Sequence, residues 1–381
     1  MSPSLPPLII GAIDVIPVRL PLREPFVIAY ATAYDTPSIL IRIRTVDGAE
    51  GWGEATPDQN VTGETWSSAA AMILNDLAPA LIGCDARDRD AAMRKLDAAV
   101  DNAPSAKAAF DIALHDLIAT ALGVPLWVLL GGRSKPHLEI SRVVSIAAPE
   151  EMAAAAERHV AAGFHTVKLK VGDPANPLMD VKRVLAVREA IGPEISLKID
   201  VNQGWRTAGV AIPAIRGMLP ANPRYIEQPV AAWDIEGLAD VRRLTGAPIM
   251  IDEGVHGPRE MQRAVALRAA DLVNIKLMKT GGIANAIRTN AIAEAAGITA
   301  QIGTMVESSI ASAAGLHTAL ALANVETVEM GGPLMLAEDI GDLRDCYAPP
   351  KITLTDRPGL GVALDIGKIR QFSHGWTEVT A

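Results

Sequence analysis

The stretch Thr166-Val-Lys-Leu-Lys-Val-Gly172 places two lysines two residues apart in an otherwise apolar run. Side chains of a strand alternate between its two faces, so Lys168 and Lys170 point one way and the apolar residues point the other. Two neighbouring ammonium groups repel each other, and an isolated pair of this kind is typical of an edge strand with a solvated face. Charged residues that recur downstream favour a different interpretation.

Five short apolar runs downstream each end in, or lead to, a charged residue. These residues follow Lys170 at intervals of 24 to 31 residues, and they are Asp200, Glu227, Asp252, Lys276 and Glu307. A strand, a loop and a helix together need about that length. In a (β/α)8 barrel the catalytic groups stand at the C-terminal ends of successive strands. The spacing therefore predicts barrel strands whose charged ends meet at one mouth.

Eight candidate strands alternate with alanine-rich helical segments in the second part of the chain. The strands are residues 138–146, 164–171, 195–201, 224–228, 248–252, 271–276, 298–303 and 325–330. Regular alternation of strands and helices is typical of a parallel sheet. We therefore predict the α/β class, with a (β/α)8 TIM-type barrel as the catalytic domain over residues 133–345.

The first 132 residues follow a different pattern, which predicts an α+β capping domain. Residues 8–54 read as antiparallel strands, and residues 66–122 read as helical. Two long connections, Leu22 to Thr36 and Pro57 to Thr65, suggest binding loops or a lid, although ordinary surface loops are an alternative.

The last segment, residues 346–381, comes too late in the chain to belong to the barrel. It contains two strand-like pieces, Lys351 to Thr355 and Gly359 to Ala363. We predict that both return to the capping domain and complete it.

Composition narrows the class of partner and the compartment. Of the 381 residues 49% are hydrophobic, which allows a sizeable core, and a net charge of −9 disfavours nucleic acid as a partner. No apolar run is long enough to span a membrane, and residues 1–7 lack the basic region of a signal peptide. A cytoplasmic protein without a membrane partner is therefore expected. Cys84 and Cys346 indicate neither a metal site nor a disulfide framework.

Three of the charged strand ends are acidic and come from adjacent predicted strands. The carboxylates of Asp200, Glu227 and Asp252 would repel one another unless a cation lies between them. Oxygen ligands alone favour Mg²⁺, with Mn²⁺ as a possible substitute, over Zn²⁺. Lys170 precedes these strands and Lys276 follows them, so one amine can remove a proton from carbon while the other returns one.

The chain resembles the enolase superfamily, and specifically its muconate-lactonizing-enzyme subgroup, over nearly its whole length. The resemblance is carried by Lys168-Leu-Lys170, Asp200-Val-Asn202, Glu227-Gln-Pro229, Asp252-Glu253, Lys276 followed by Gly281-Gly282, and Met305-Val-Glu-Ser308. It implies a Mg²⁺-dependent isomerase that removes the α-proton of a small carboxylate substrate and forms an enolate. It also implies that Asp200, Glu227 and Asp252 bind the metal and that Lys170 and Lys276 form the acid/base pair.

The resemblance assigns further residues to the site. Lys168 would contact the substrate carboxylate and lower the pKa of the neighbouring Lys170 amine. Residues that would support the site or contact the substrate are Asn202, Glu253, Glu307, Glu329, Tyr30 and Thr62. Barrels with such caps often assemble, so a homo-oligomer is also expected.

Different segments of the chain resemble subgroup members that form different products. Thr62 to Thr65, Asn274 to Lys279 and Met305 to Ser308 look like dipeptide epimerases and N-acylamino-acid racemases. Dipeptide epimerases usually carry Asp-x-Asp at the eighth strand, whereas this chain offers only Glu329 there, and Glu329 to Leu334 looks more like muconate cycloisomerases.

A racemase or epimerase of an amino-acid derivative is therefore predicted, and several alternatives stay open. The first is a muconate-type cycloisomerase, followed by an o-succinylbenzoate synthase-like dehydratase. A barrel that binds a ligand without catalysis is the remote alternative. Mandelate-racemase-type members usually carry a histidine on the seventh strand. Residues 298–310 contain none, which disfavours a reaction of that type.

Overall fold

A computed structural model of the protein describes residues 6–380. Residues 1–5, which belong to the segment considered above for a signal peptide, lie outside the described part. The chain begins with three antiparallel strands, β1 (Ile10–Ile28), β2 (Ala31–Thr45) and β3 (Glu50–Ala55). One face of this sheet packs against the helices that follow, and its apolar residues form a core separate from that of the barrel.

The connection predicted from Leu22 to Thr36 is not a loop, because β1 and β2 continue through it as one long hairpin. Phe26 pairs with Ala33 and Ile28 with Ala31, so the turn lies at Ala29–Tyr30. The ladder shifts register between Pro21 and Phe26, and proline has no N–H to give to a ladder. The prolines therefore interrupt the pairing locally without ending the strands.

The helical region of the cap is divided into short pieces, whereas the sequence suggested one helical stretch over residues 66–122. The helices are α1 (Trp66–Met72), α2 (Ala78–Leu81), α3 (Arg89–Ala99), α4 (Pro104–Ala121) and α5 (Leu126–Leu129), with one π-helical turn at Ile73–Leu77. As the sequence predicts, α4 starts with proline and ends just before a glycine, Gly123, whose φ is +69°.

The barrel follows a short strand, β4 (Leu138–Glu139). Its strands are β5 (Arg142–Val144), β6 (Thr166–Lys170), β7 (Ser196–Asp200), β8 (Tyr225–Glu227), β9 (Ile249–Ile251), β10 (Leu272–Ile275), β11 (Thr299–Ile302) and β12 (Val325–Val328). They are parallel and lie side by side in chain order. A parallel bridge between Ile140 and Val328 joins the two ends of the sheet and closes the barrel.

Helices connect the barrel strands and cover their outer face. They are α6 (Pro149–Ala161), α7 (Pro177–Ile191), α8 (Ala208–Met218), α9 (Ile235–Thr245), α10 (Pro258–Ala266), α11 (Leu277–Thr280), α12 (Ile283–Ala295) and α13 (Ser309–Ala321). Val167 and Leu169 are fully buried among them, and Lys168 and Lys170 are buried as well. The edge-strand interpretation of the lysine pair is thereby excluded.

The C-terminal segment divides its contacts between the barrel and the cap. It contains α14 (Gly332–Met335), a 3-10 turn at Leu343–Cys346, β13 (Tyr347–Ala348), β14 (Lys351–Ile352), α15 (Ile366–Phe372) and β15 (Thr377–Thr380). β15 pairs with β1 and completes the cap sheet.

The two predicted tail strands do not behave as the sequence suggested. Lys351–Ile352 pairs with β4, at the entrance to the barrel, and not with the cap sheet. Gly359 makes only a single bridge, to Pro125. The return to the sheet is made by β15, whose polar sequence gave no apolar signal. The domain limits at residues 132 and 345 stay predictions.

Among residues 6–380, no helix combines the length and apolar character that a bilayer-spanning helix needs.

Gly53 allows β3 to lie directly against α4. A Cβ atom at Gly53 would stand 1.9 Å from the carbonyl oxygen of Ala109, and one at Gly51 would stand 2.4 Å from that of Ala113. Contacts this close involve main-chain atoms, which a rotamer change cannot relieve.

We expect Gly53→Ala to lower the free energy of unfolding by at least about 2 kcal/mol, because the strand or the helix must move. Urea unfolding followed by circular dichroism measures this. Gly209→Ala is the matched control, because Gly209 is exposed in the first turn of α8 and nothing lies close to its Cβ position. A Gly53→Ala midpoint equal to that of the control would contradict the packing argument.

Candidate active site

The register of three neighbouring strands brings the first acidic and basic groups together. Lys170 pairs with Asp200, and Asp200 pairs with Glu227, so all three project into the barrel at the same level. The Nζ atom of Lys168 lies 2.9 Å from Asp200 Oδ2 and 2.8 Å from Glu227 Oε2. Lys170 Nζ donates to Asp200 Oδ2 at 2.7 Å and to Asn202 Oδ1 at 2.9 Å.

A second acidic group is held by two other lysines. Asp252 directly follows β9, and Lys276 directly follows β10. Lys276 Nζ lies 2.8 Å from Asp252 Oδ2, and Lys279 Nζ donates to Asp252 Oδ1 at 2.5 Å. Because all three side chains are buried, the attraction between the carboxylate and the two amines is weakly screened by water.

Lys170 and Lys276 lie on opposite sides of the barrel mouth. Lys170 ends β6 and Lys276 follows β10, and three strands separate β6 from β10 in the sheet. Four steps around a closed ring of eight strands lead to the diametrically opposite position. A flat substrate in the mouth can therefore meet one amine on each face.

The ionisation of these groups is strongly perturbed. Although burial alone would raise it, the amines of Lys168 and Lys170 lower the pKa of Asp200 to about 2. Burial and the neighbouring Asp200 carboxylate raise the pKa of Glu227 well above its usual range. Burial opposes charge on Lys276, but the carboxylates of Asp252 and Glu253 raise its pKa.

The three carboxylates fit a hard cation in their chemistry. Glu227 Oε2 and Asp252 Oδ2 lie within ion-pair distance of lysines, yet neither accepts a well-directed hydrogen bond from the described residues. Buried oxygen atoms without such a partner are uncommon and suit a metal ion. Within residues 6–380, however, no acidic cluster already forms an open metal cage. The amine of Lys168 lies between Asp200 and Glu227 and offsets part of their negative charge.

A cavity of about 190 Å³ opens above these groups, between the barrel mouth and the cap. The barrel contributes Lys168, Lys170, Asn202, Lys276, Met305, Val306 and Glu329 to its wall, and the cap contributes Phe26, Ile28, Tyr30, Asp58 and Val61. Both predicted lid segments therefore reach the cavity. Their closure on a ligand stays a prediction.

The structure brings most of the predicted supporting residues to this site. Asn202 Nδ2 donates to Glu253 Oε1 at 3.2 Å, which ties the two sides of the mouth together. Burial and the charge on Asp252 raise the pKa of Glu253 to about 7. Glu307 is buried in the loop after β11, where its Oε1 accepts from the backbone N–H of Met305 at 2.9 Å.

Glu329, directly after β12, pairs with two lysine amines of the barrel interior. Its Oε2 accepts from Lys168 Nζ at 2.6 Å, and its Oε1 lies 3.5 Å from Lys198 Nζ. Those two amines, working against burial, lower the pKa of Glu329. Its charge is therefore already neutralised.

The two predicted cap residues differ in position. Tyr30 stands at the hairpin turn and lines the cavity. Thr62 is not among the described residues of the cavity wall, because its Oγ1 donates to the backbone carbonyl of Asp58 at 3.1 Å and shapes the loop. Thr62 thus supports a cavity residue, and its part in substrate binding stays a prediction. The catalytic and metal-binding roles of all these residues stay predictions.

Sequence reasoning gave no role to two buried lysines of the barrel. Lys198 Nζ donates to Ser141 Oγ at 2.6 Å and to Gln301 Oε1 at 2.8 Å, and burial lowers its pKa to about 8. Strand alternation could have found Lys198, because it lies two residues before Asp200. Lys279 lies in the short helix after β10, where no such alternation applies.

Family models match most of the chain. The mandelate racemase/muconate lactonizing enzyme N-terminal domain matches residues 11–131, and the enolase C-terminal domain-like model matches residues 151–368. An N-succinyl-L-Arg/Lys racemase from Bacillus cereus is 43% identical, covering 96% of this chain and 98% of the relative. The crystal structure of N-succinyl Arg/Lys racemase from that species has a TM-score of 0.95 at 42% identity, covering 97% of this chain and 99% of its own.

Other relatives extend the range of reactions. A dipeptide epimerase from Cytophaga hutchinsonii, in complex with Mg and the dipeptide D-Ala-L-Val, has a TM-score of 0.92 at 30% identity and covers 98% of this chain and 100% of its own. A chloromuconate cycloisomerase from Cupriavidus pinatubonensis is 34% identical, covering 94% of this chain and 96% of the relative. Racemases, epimerases and cycloisomerases are all isomerases. This chain therefore belongs to the enolase superfamily, in its muconate lactonizing enzyme subgroup, and is an isomerase.

Proposed function

We propose that this protein is a Mg²⁺-dependent racemase of N-acylated α-amino acids. The observation that carries the proposal is the placement of Lys170 and Lys276 on opposite sides of one cavity. A racemase must remove a proton from one face of the α-carbon and return one to the other face. Two amines on opposite sides meet that need, whereas a one-base reaction requires only one of them.

The chain's own residues then divide the work. The Lys170 amine takes the α-proton from one face, and the Lys276 ammonium gives a proton to the other, with the roles exchanged for the opposite enantiomer. Lys168, whose pKa is raised well above its usual range by its carboxylate neighbours against burial, stays protonated and attracts the substrate carboxylate. A divalent cation held by Asp200, Glu227 and Asp252 would neutralise negative charge that develops on that carboxylate.

The state of Glu329 favours an acylated amino group over a free α-ammonium. A substrate with a free ammonium needs an unpaired carboxylate near the end of β12. Glu329 is already neutralised by Lys168, and Thr327 is held by Gln301 Oε1 at 2.9 Å, below the cavity. An amide nitrogen carries no charge and needs no such partner. The racemase from Bacillus cereus acts, by its name, on N-succinylated amino acids.

A muconate-type cycloisomerase is the second candidate, and one observation favours it. The segment from Glu329 to Leu334 has the pattern that cycloisomerases show, and chloromuconate cycloisomerases are among the relatives. Such a reaction needs one lysine as acid or base, and it would leave the second without a role. The opposed lysine pair is the reason that we place racemisation first.

We propose a cytoplasmic homo-oligomer, because barrels with such caps often assemble and the sequence contains no apolar run of membrane-spanning length.

Removal of divalent metal should abolish racemisation, because the charge that develops on the substrate carboxylate would lose the cation that neutralises it. Chelator treatment followed by polarimetry measures the loss, and added Mg²⁺ should restore activity. Asp200→Asn should lose Mg²⁺ binding by calorimetry, whereas Asp240→Asn, at an exposed position of α9, should keep it. Full turnover in excess chelator would contradict the metal assignment.

Each catalytic lysine should serve one enantiomer. Lys276→Ala should lower racemisation by about 10²–10⁴-fold and still allow α-proton exchange with D₂O from the face near Lys170, and Lys170→Ala should show the reverse. Proton NMR follows the exchange, and Lys182→Ala, at an exposed position of α7, is the control. Intact turnover in Lys276→Ala would support the one-base cycloisomerase instead.

Acylation of the amino group should decide whether a substrate is used. We expect kcat/KM for N-succinyl- or N-acetyl-α-amino acids to exceed that for dipeptides with the same C-terminal residue by at least about 10-fold. The reason is that burying an ammonium group without a partner weakens binding by at least that factor. α-Deuterium incorporation in D₂O compares the two series. A preference for dipeptides would show that Glu329 becomes available to an ammonium.

A further inference from the structure

Each of the three buried carboxylates at the barrel mouth has one oxygen atom that accepts a hydrogen bond from the barrel itself. Glu227 Oε1 accepts from Asn274 Nδ2 at 2.8 Å. Asp252 Oδ1 accepts from Lys279 Nζ at 2.5 Å. Asp200 Oδ1 accepts from the backbone N–H two residues later, at 3.0 Å. These hydrogen bonds oppose rotation of each carboxylate about its last side-chain bond.

The second oxygen atom of each carboxylate is left for other partners. Within residues 6–380, Glu227 Oε2 and Asp252 Oδ2 accept no well-directed hydrogen bond. The amines of Lys168 and Lys276 lie 2.8 Å from these two atoms. Asp200 Oδ2 likewise meets two lysine amines. One oxygen of each carboxylate is thus fixed by the barrel, and the other stays available to a cation.

Packing restricts the amide of Asn274, which holds Glu227. Asn274 lies on β10 and is fully buried. A Cβ atom at Gly303, directly after β11, would stand 2.2 Å from Asn274 Oδ1. The amide therefore fills the space that a side chain at Gly303 would need, and it meets Glu227 in a fixed orientation.

The amine of Lys279, which holds Asp252, uses all of its donors within the barrel. Besides Asp252 Oδ1, it donates to the backbone carbonyls of Asp252 and of Asn274, the second at 3.0 Å. An ammonium group has three N–H donors, and these three acceptors occupy them. Lys279 is also not among the described residues of the cavity wall. Its contacts therefore orient Asp252 and do not reach a substrate.

We infer that Asn274 and Lys279 are positioning residues that make the metal site selective for Mg²⁺ over Ca²⁺. They leave Glu227 and Asp252 one oxygen atom each for a cation. Mg²⁺ takes few carboxylate oxygens in a rigid arrangement, whereas Ca²⁺ takes about six to eight oxygens and accepts both from one carboxylate. A carboxylate that cannot turn therefore favours Mg²⁺. The inference rests on the proposed Mg²⁺-dependent function, because it concerns the metal of that same site.

The test compares the affinities for Mg²⁺ and Ca²⁺, measured by calorimetry on the purified chain after dialysis against a chelator. Asn274→Ala and Lys279→Met should each lower the Mg²⁺-to-Ca²⁺ ratio of association constants by about 10-fold or more. Groups that orient a metal ligand typically contribute about 10- to 100-fold to metal affinity. The released carboxylate can also offer both of its oxygens to Ca²⁺.

The ratio separates positioning from charge and from a general loss of structure. Lys279→Met removes a positive charge near the site, but this changes the attraction of two cations of equal charge alike. A barrel that is merely loosened weakens the binding of both. The ratio changes only if a carboxylate gains the freedom to use its second oxygen.

Two buried residues of the same types serve as matched controls. Lys198→Met removes another fully buried lysine of the barrel. Asn290→Ala removes a buried asparagine of α12, whose Oδ1 accepts from Asn324 Nδ2 at 3.2 Å. Neither control residue forms a hydrogen bond or an ion pair with the three carboxylates among the described residues. Both variants should keep the wild-type ratio.

A third test variant covers the case in which one of the first two does not fold. Gly303→Ala displaces the Asn274 amide without removing any hydrogen-bonding group, because the new Cβ atom would occupy the place of the amide oxygen. It should lower the Mg²⁺-to-Ca²⁺ ratio in the same direction as Asn274→Ala. Circular dichroism shows which variants are folded.

The outcomes distinguish this inference from the proposed function. A wild-type ratio in every folded test variant, or an equal fall in the controls, would overturn the inference even if the protein racemises N-acylamino acids. A fall in the test variants alone would support it even without racemisation, and the missing turnover would then count against the proposed function. A wild-type chain that binds Ca²⁺ as tightly as Mg²⁺ would overturn the inference alone, and one that binds neither cation would overturn both.

Discussion

Charge balance without water is the constraint on which this site depends. The carboxylates of Asp200, Glu227 and Asp252 are fully buried at neighbouring strand ends, where repulsion between them is poorly screened. Four lysine amines form ion pairs with these carboxylates, Lys168 and Lys170 on one side and Lys276 and Lys279 on the other. The parallel register fixes these positions, so the same backbone geometry that builds the barrel also builds the site.

Another buried carboxylate, that of Glu54, joins the cap to the barrel. Glu54 at the end of β3 accepts hydrogen bonds from the backbone N–H of Ser308 at 3.0 Å and of Ala311 at 3.0 Å, at the start of α13. The positive end of a helix dipole favours a carboxylate there. Burial nevertheless raises the pKa of Glu54 to about 7. The contact joins the cap sheet to the loop that carries Glu307, one residue before Ser308.

Sequence patterns predicted the parts of the molecule that follow a strict period. Strand alternation and the strand-to-strand interval located the barrel and the groups at its mouth. They could do so because the pairing register fixes the position of each strand end in the barrel. Patterns failed where tertiary contacts decide. The segment from Leu22 to Thr36 was expected to be a loop but continues the hairpin, and β15 has a polar sequence that only its partner strand explains. Thr62 was expected to support the site or to contact the substrate, and the sequence could not show that its hydroxyl donates a hydrogen bond within its own loop.

The division of labour between the two domains explains how similar chains can catalyse different isomerisations. Barrel strands supply amines and carboxylates in fixed register, and in the proposed reaction these act on the carboxylate and the α-proton that every substrate of this kind shares. The opposite wall of the cavity is formed by the hairpin of β1 and β2 and by the loop after β3, which would face the rest of a bound substrate. A side chain such as Asp58 can change there without disturbing the barrel register, because its contacts stay within its own loop and with the hairpin tip. Substrate choice is therefore physically separable from proton transfer in this fold, and the cap is where a change of charge alters the first and leaves the second in place.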